Sequence, residues 1–167
     1  GYNIEHWNTH TIDTYNTVNG KPVYYWKNVN GGTVPSGVGQ IILANCTGVM
    51  IENQDLSNGT VGIELGFSSD CSITNTTASN NDREGICLYS STNCSITNTT
   101  ASNNYYGIYL YSSNNNLIYN NYFNNTINTY DNGNNIWNIS KTPGTNIIGG
   151  PYLGGNYWSD YLGYDND

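Results

Sequence analysis

A chain of 167 residues with 10% charged side chains and a formal net charge of −8 is one domain's worth of sequence with little electrostatic capacity. Its four basic residues, Lys21, Lys27, Arg83 and Lys141, make no cationic footprint, which argues against nucleic acid and anionic lipid as partners. No apolar run approaches the roughly 18 residues of a membrane span. With 31 Asn, 18 Thr, 14 Ser and 19 Gly, and little Lys, Glu or Ala, the chain is a poor helix former. Ile, Leu, Val and Phe number 33, near the level where disorder becomes the default, but the modest net charge points to a folded, all-β chain. It starts at Gly1 without Met and stops at Asp167, which reads as a mature product or a fragment of a larger protein.

In chain order, residues 1–40 carry His6, Trp7, Trp26 and a Gly/Pro stretch, and read as an N-terminal cap with an atypical first turn. His6 and His10 lie on a segment that reads as extended, about 13 Å apart, too far to share one ion. Residues 41–128 repeat. The run from Cys71 to Asn81 recurs identically from Cys94 to Asn104, an offset of 23, and Gly85–Ser91 returns as Gly107–Ser113 at 22. Extending this register aligns Ile41, Ile63, Ile86 and Ile108 in one column and Leu43, Leu65, Leu88 and Leu110 in a second. Ile51, Ile73, Ile96 and Ile118 form a third, Asn53, Asn75, Asn98 and Asn120 a fourth, and Leu56, Ala78, Ala101 and Phe123 a fifth. Columns two residues apart are a strand pattern. Each unit is too small to bury its apolar side alone, and stacking units at about 4.8 Å per turn buries one continuous core. The predicted fold is a single-stranded parallel β-helix (β-solenoid) of about five turns, with stacked Asn amides bonding along the axis. Residues 129–167, with Trp137, Trp158 and paired glycines, read as a shortened last turn near Ile136 and an aromatic C-terminal cap.

Chemistry-bearing residues can be placed on this register. Glu64 projects outward in line with Cys87 and Tyr109; Glu84 lies one turn on and three positions along. That places the two carboxylates roughly 11 Å apart, beyond the 5–9.5 Å of glycosidase pairs unless loop geometry shortens it. They are the candidates for a catalytic role, and none is assigned. Asp82 and Arg83 read as a solvated charge pair. Cys71 and Cys94 occupy equivalent positions on adjacent turns, compatible with a disulfide or with two stacked thiols. Asp160, Asp165 and Asp167 offer oxygens for a Ca²⁺ loop that lacks the usual glycines and closing acid. Tyr89 and Tyr111 form an outward ladder, with Tyr105, Tyr106, Tyr109, Tyr119 and Tyr122 nearby. Such a surface suits a neutral glycan or a protein partner, and equally a stack that only stabilises its strands. Sequons at Asn45, Asn58, Asn75, Asn93, Asn98, Asn124 and Asn138 suit an exported, glycosylated surface, although a chain this rich in Asn, Ser and Thr makes some by chance. No cofactor is expected.

Three segments carry a family resemblance: Asn16–Trp26, Tyr130–Asn138 and Gly155–Tyr161. They resemble the NosD-like right-handed parallel β-helices, abundant among exported and cell-surface proteins of methanogenic archaea. The resemblance implies the fold more firmly than the task. Bacterial NosD is an accessory in maturing the copper centre of nitrous oxide reductase, the wider superfamily includes carbohydrate-binding and carbohydrate-cleaving proteins, and many archaeal relatives are surface proteins. Relatives often continue in an Asp/Gly-rich stretch where this chain stops, which suits the fragment reading. The expectation is an extracellular, cell-surface β-helix module, non-catalytic, structural or adhesive, partnered by envelope proteins or glycans or by copies of itself. A carbohydrate-binding or carbohydrate-cleaving domain is the alternative, and a NosD-like accessory role the third.

Overall fold

The computed structural model describes residues 3–163. The first element corrects the sequence reading: α1 (Glu5–Asn8) is a single helical turn rather than an extended segment. The Asn3 side-chain oxygen accepts from the backbone N–H groups of Glu5 (3.1 Å) and His6 (3.4 Å), which satisfies two donors that a helix start leaves open. β1 (Thr17–Val18) and β2 (Lys21–Lys27) then pair antiparallel. Asn19 and Gly20, at φ 51° and 73°, form the two-residue turn that such hairpins favour.

From β2 onward the chain winds. β3 (Gln40–Ala44) and β4 (Met50–Glu52) make one turn, and β5 (Val61–Gly66) and β6 (Ser72–Thr74) the next. β7 (Glu84–Tyr89), β8 (Ser95–Thr97) and β9 (Thr100–Ser102) follow, then β10 (Tyr106–Tyr111), β11 (Leu117–Tyr119) and β12 (Tyr122–Asn124). β13 (Ile127–Asp131) completes the long sheet, whose order is β1-β2-β3-β5-β7-β10-β13, parallel at every step after β1. A second parallel sheet stacks β4, β6, β8 and β11. In a third, β16 (Tyr157–Trp158) adds to β12 and β9, while β14 (Thr142–Pro143) and β15 (Tyr152–Leu153) form a separate hairpin.

The columns read from the repeat are the strand registers. Ile41, Ile63, Ile86 and Ile108 pair in sequence, as do Leu43, Leu65, Leu88 and Leu110, and Ile51, Ile73, Ile96 and Ile118. All are fully buried, each contributing about 1.5–3 kcal/mol relative to exposure. Glycine precedes Ile63, Ile86 and Ile108, and at Gly62 the reason is steric: a Cβ there would stand 2.8 Å from the Gly85 carbonyl oxygen and 2.9 Å from that of Leu56. The core is closed below by aromatic rings, with Trp158 stacked on Phe123 at 4.9 Å and Trp137 at 5.5 Å from Trp158.

Asparagine makes the corners in two ways. Sixteen non-glycine residues among those described have positive φ, and twelve of them are Asn, the side chain that tolerates this region at least cost. Asn53, Asn75, Asn98 and Asn120 are four of these, and the last three bond along the axis: Asn98 donates to Asn75, and Asn120 Nδ2 lies 3.5 Å from Asn98 Oδ1. The inward polar ladders are different residues. Asn81, Asn104 and Asn125 point inward, where Oδ1 of each accepts a backbone N–H of the turn before, from Gly59 (2.9 Å), Asn81 (2.8 Å) and Asn104 (3.0 Å). Each also donates through Nδ2 to a carbonyl, that of Leu56 (3.1 Å), Ala78 (2.9 Å) or Ala101 (2.8 Å). Ser68, Ser91 and Ser113 repeat the device at another corner, their hydroxyls accepting from the N–H groups of Cys46, Ser68 and Ser91. These ladders satisfy corner backbone groups that no strand pairing reaches.

Candidate functional site

The long sheet carries two outward columns. One runs Tyr25, Ile42, Glu64, Cys87, Tyr109, Tyr130; the other runs Lys27, Ala44, Gly66, Tyr89, Tyr111. Their rings form one aromatic surface. Tyr89 and Tyr111 stack at 5.0 Å and 13°, and Tyr109 and Tyr130 at 4.6 Å and 12°. Tyr106 meets Tyr109 edge-on at 5.2 Å, and Tyr105 meets Tyr106 at 4.9 Å and 87°. Five of the seven tyrosines named from the sequence, Tyr89, Tyr105, Tyr106, Tyr109 and Tyr111, are thus brought together. Tyr119 and Tyr122 are not with them: they lie on β11 and β12 of the other sheets, and Tyr122 stacks on Tyr157 instead.

The upper end of this surface is closed by a residue that repeat analysis misses. Trp7 lies where Gly66 has no side chain; a Cβ on Gly66 would stand 2.2 Å from the indole. The indole stacks on Tyr89 at 5.9 Å, so Tyr89 is covered by Trp7 above and Tyr111 below. The strap is pinned by the Tyr25 hydroxyl donating to the Trp7 carbonyl (2.5 Å) and by Lys27 Nζ donating to that of His10 (2.7 Å). Phe67 and Tyr130 also belong to the surface. Tyr130 follows Tyr109 by almost one repeat, a signal present in the sequence; the Trp7–Gly66 fit leaves none.

The acids on this face are restrained. Glu84 pairs with Arg83, whose guanidinium stands 3.2 Å from Oε1, and this replaces the Asp82–Arg83 pair expected from sequence. The glycine corner sets Glu84 in register with Val61 and Tyr106, where it is 5% exposed. Glu64 is half-buried and accepts from Gln40 Nε2 at 3.3 Å. Burial raises both carboxyls above their ordinary range, and the Glu84 charge pushes Glu64 further in the same direction. Between them the Cys87 thiol is held protonated by burial and by the two carboxylates. Glu64 can therefore exchange a proton nearer to neutrality than a free carboxyl, whereas Glu84 is buried behind its own ion pair.

The remaining candidates separate. Cys71 and Cys94 lie in equivalent inward positions on adjacent turns, and all four cysteines, with Cys46 and Cys87, stand as thiols in this structure, which is the stacked-thiol arrangement of the two the sequence allows. Each Sγ donates to the carbonyl two residues before it, Cys71 to Ser69 at 3.3 Å and Cys94 to Thr92 at 3.5 Å. Asp160 accepts from Asn128 Nδ2 at 2.8 Å; Asp165 and Asp167 lie outside the described residues. His10 Nε2 lies 3.1 Å from the His6 carbonyl oxygen, and Met50 is exposed on β4. Among the described residues no three His, Cys, Asp or Glu side chains are arranged to hold a metal ion, and no helix is long and apolar enough to cross a membrane. All seven sequon asparagines, Asn45, Asn58, Asn75, Asn93, Asn98, Asn124 and Asn138, are exposed.

Residues 27–163 match the sequence profile of the family described as "Periplasmic copper-binding protein (NosD)". No curated protein and no solved structure matches the chain. With the profile covering most of its length and a parallel β-solenoid beneath it, the chain belongs to the NosD family.

Proposed function

We propose that this protein is a non-catalytic, exported module of the cell envelope, structural or adhesive in its work, that meets its partners through one side of the solenoid. The observation that carries this reading is the continuous tyrosine surface on the long sheet, held rigid by its own stacking and by Trp7. A buried, Arg-paired Glu84 beside a half-buried Glu64 argues against glycoside cleavage, because the acid has no open approach to a glycosidic oxygen. The family's description suggests an extracytoplasmic location, and seven exposed sequons suit one.

A copper centre is not part of this reading. Copper(I) seeks thiolate, thioether and imidazole donors. Here Cys46, Cys71 and Cys94 are buried inside the solenoid, Met50 is on an outer face, and the two histidines sit on the N-terminal strap. These described residues do not fit a copper site. Any service to a copper enzyme would be that of a scaffold.

The second reading, carbohydrate binding, draws support from the Tyr105 ring adjoining exposed Asn amides at one corner of the solenoid. Both readings meet one experiment: the purified chain is exposed to polysaccharides and envelope glycans, with retention and released oligosaccharides read by mass spectrometry. Released products would overturn the non-catalytic reading. Retention without release would make the module lectin-like, and neither signal, with concentration-dependent assembly in light scattering, would leave the structural role.

A further inference from the structure

The corner between the third sheet and the long sheet holds a groove of about 640 Å³ along the solenoid axis. On its rim Asn80 and Asn103, at φ 56° and 57°, occupy equivalent positions one turn apart, and Asn124 follows on the turn below. Asn103 Nδ2 donates to Asn80 Oδ1 at 3.2 Å. That bond leaves the Asn80 amide protons, the Asn103 carbonyl oxygen and the whole Asn124 amide without a side-chain partner among the described residues. Asp82, Thr126 and the Tyr105 hydroxyl, also on the groove, make no side-chain bond there either. The wall behind is rigid, because Asn81, Asn104 and Asn125 lock the backbone of the same three turns from inside.

Tyr105 differs from the ladder tyrosines in the one property that sugar stacking requires. Tyr89 has both ring faces covered. Tyr105 makes a single edge-to-face contact and is 50% exposed, so a ring face is open at the groove. An open aromatic face meets the C–H face of a pyranose, and amides beside it meet hydroxyls as donor and acceptor together. Asn80 and Asn103 stand one turn apart, about 4.8 Å, close to the length of one sugar unit in an extended chain, and Asn124 lies one position back on the turn below. Charge sets the class of sugar. Asp82 is the acid on the groove, and the adjacent cation, Arg83, is tied to Glu84.

We propose that the groove formed by Asn80, Asn103, Asn124 and Tyr105 is a binding subsite for neutral, hydroxyl-rich glycan chains. The proposal rests on the carbohydrate-binding reading above and gives it a location and a ligand class. The test titrates the full chain with cellohexaose, xylohexaose and mannohexaose, and with oligogalacturonate as the anionic probe, by calorimetry and by amide chemical-shift mapping. Tyr105→Ala, Asn124→Ala and Tyr111→Ala are compared after thermal melts show each folded. The expected result is binding of a neutral hexasaccharide with shifts at 80–82, 103–105 and 124–126. Affinity should fall about tenfold in Tyr105→Ala and measurably in Asn124→Ala, remain unchanged in Tyr111→Ala, and be absent for oligogalacturonate. Binding that survives Tyr105→Ala but not Tyr111→Ala overturns the groove while keeping carbohydrate binding, now on the ladder. Preference for oligogalacturonate overturns the neutral class. No binding of any probe overturns both the subsite and the reading beneath it.

Discussion

Replacing Asn104 by Ala tests whether the inward amides hold the turns together. Asn104 is 2% exposed. Its Oδ1 accepts the Asn81 N–H at 2.8 Å, and its Nδ2 donates to the Ala78 carbonyl at 2.9 Å and to Asn125 Oδ1 at 2.9 Å. Truncation to Ala leaves Asn81 N–H and Ala78 C=O buried without these partners, at about 1–3 kcal/mol each, while Asn125 Oδ1 keeps the Asn104 N–H. With the void left by the amide, the loss is about 3–5 kcal/mol, a large part of a domain's total stability. The matched control is Asn103→Gly, one residue earlier, exposed and at φ 57°, where glycine is at ease and a change within about 0.5 kcal/mol is expected. Urea unfolding followed by circular dichroism reads the difference. With m near 2 kcal/mol/M, the Asn104→Ala midpoint should fall by about 1.5–2.5 M and the control's should barely move. A shift below about 0.5 M for Asn104→Ala, or equal shifts for the two variants, would show that the interior ladder adds little beyond strand pairing.

Three further outcomes follow from local geometry. Gly66→Ala should expel Trp7 from Tyr89, because the new Cβ would overlap the indole; the measure is a red shift of tryptophan emission with lost protection of residues 5–10 in hydrogen exchange, and unchanged exchange there would refute the fit. Ser90→Asn should stabilise by a few tenths to about 1 kcal/mol, since Ser90 holds φ 49° in the corner column where earlier turns place Asn28 and Asn45; a lower melting temperature would contradict this. Glu64 and Glu84 are raised in the folded state, so the native chain binds more protons than the unfolded one between the ordinary carboxyl value of 4.5 and their folded values. Their contribution therefore weakens stability as pH rises through that window. Glu64→Gln, which can retain the Gln40 contact by turning its amide, should raise the melting temperature at neutral pH and lessen the gain on acidification, and a variant less stable than the parent at pH 7 would reverse the sign.

The apolar columns were legible because a period of two along strands and of 22–23 between turns fixes which side chains face inward, and the registers of Ile63, Leu65 and Ile73 follow it. The roles of the polar residues were not. Asn80-Asn81 and Asn103-Asn104 are identical dipeptides, yet the first member of each is left-handed and exposed and the second is buried and fully bonded. Composition cannot tell them apart, since the choice is made by the backbone at the corner. Glu84 lies three positions along the strand from Glu64, as the repeat register implies. Its burial and its pairing with Arg83 come from the glycine bend, which a straight-strand picture omits. Trp7 reads from the sequence as part of a cap, but its fit against Gly66 joins an irregular segment to a repeat and has no periodic signature.

The scarcity of charge has a structural counterpart in these ladders. A solenoid must satisfy the backbone at every corner on every turn, and a neutral amide does so in the interior, offering both acceptor and donor without the desolvation cost of an ion. Asn81, Asn104 and Asn125 each use both functions. The same residue type on the outer side of the corner leaves its amide to solvent or to a ligand. One choice of residue thus stiffens the wall from within and furnishes the exposed amides of the groove, while Tyr105 supplies what amides lack, an open apolar ring face. Rigidity and recognition here come from adjacent positions of one corner. A variant that loosens the inner position, such as Asn104→Ala, should therefore weaken glycan binding as well as stability, whereas Tyr105→Ala should affect binding alone.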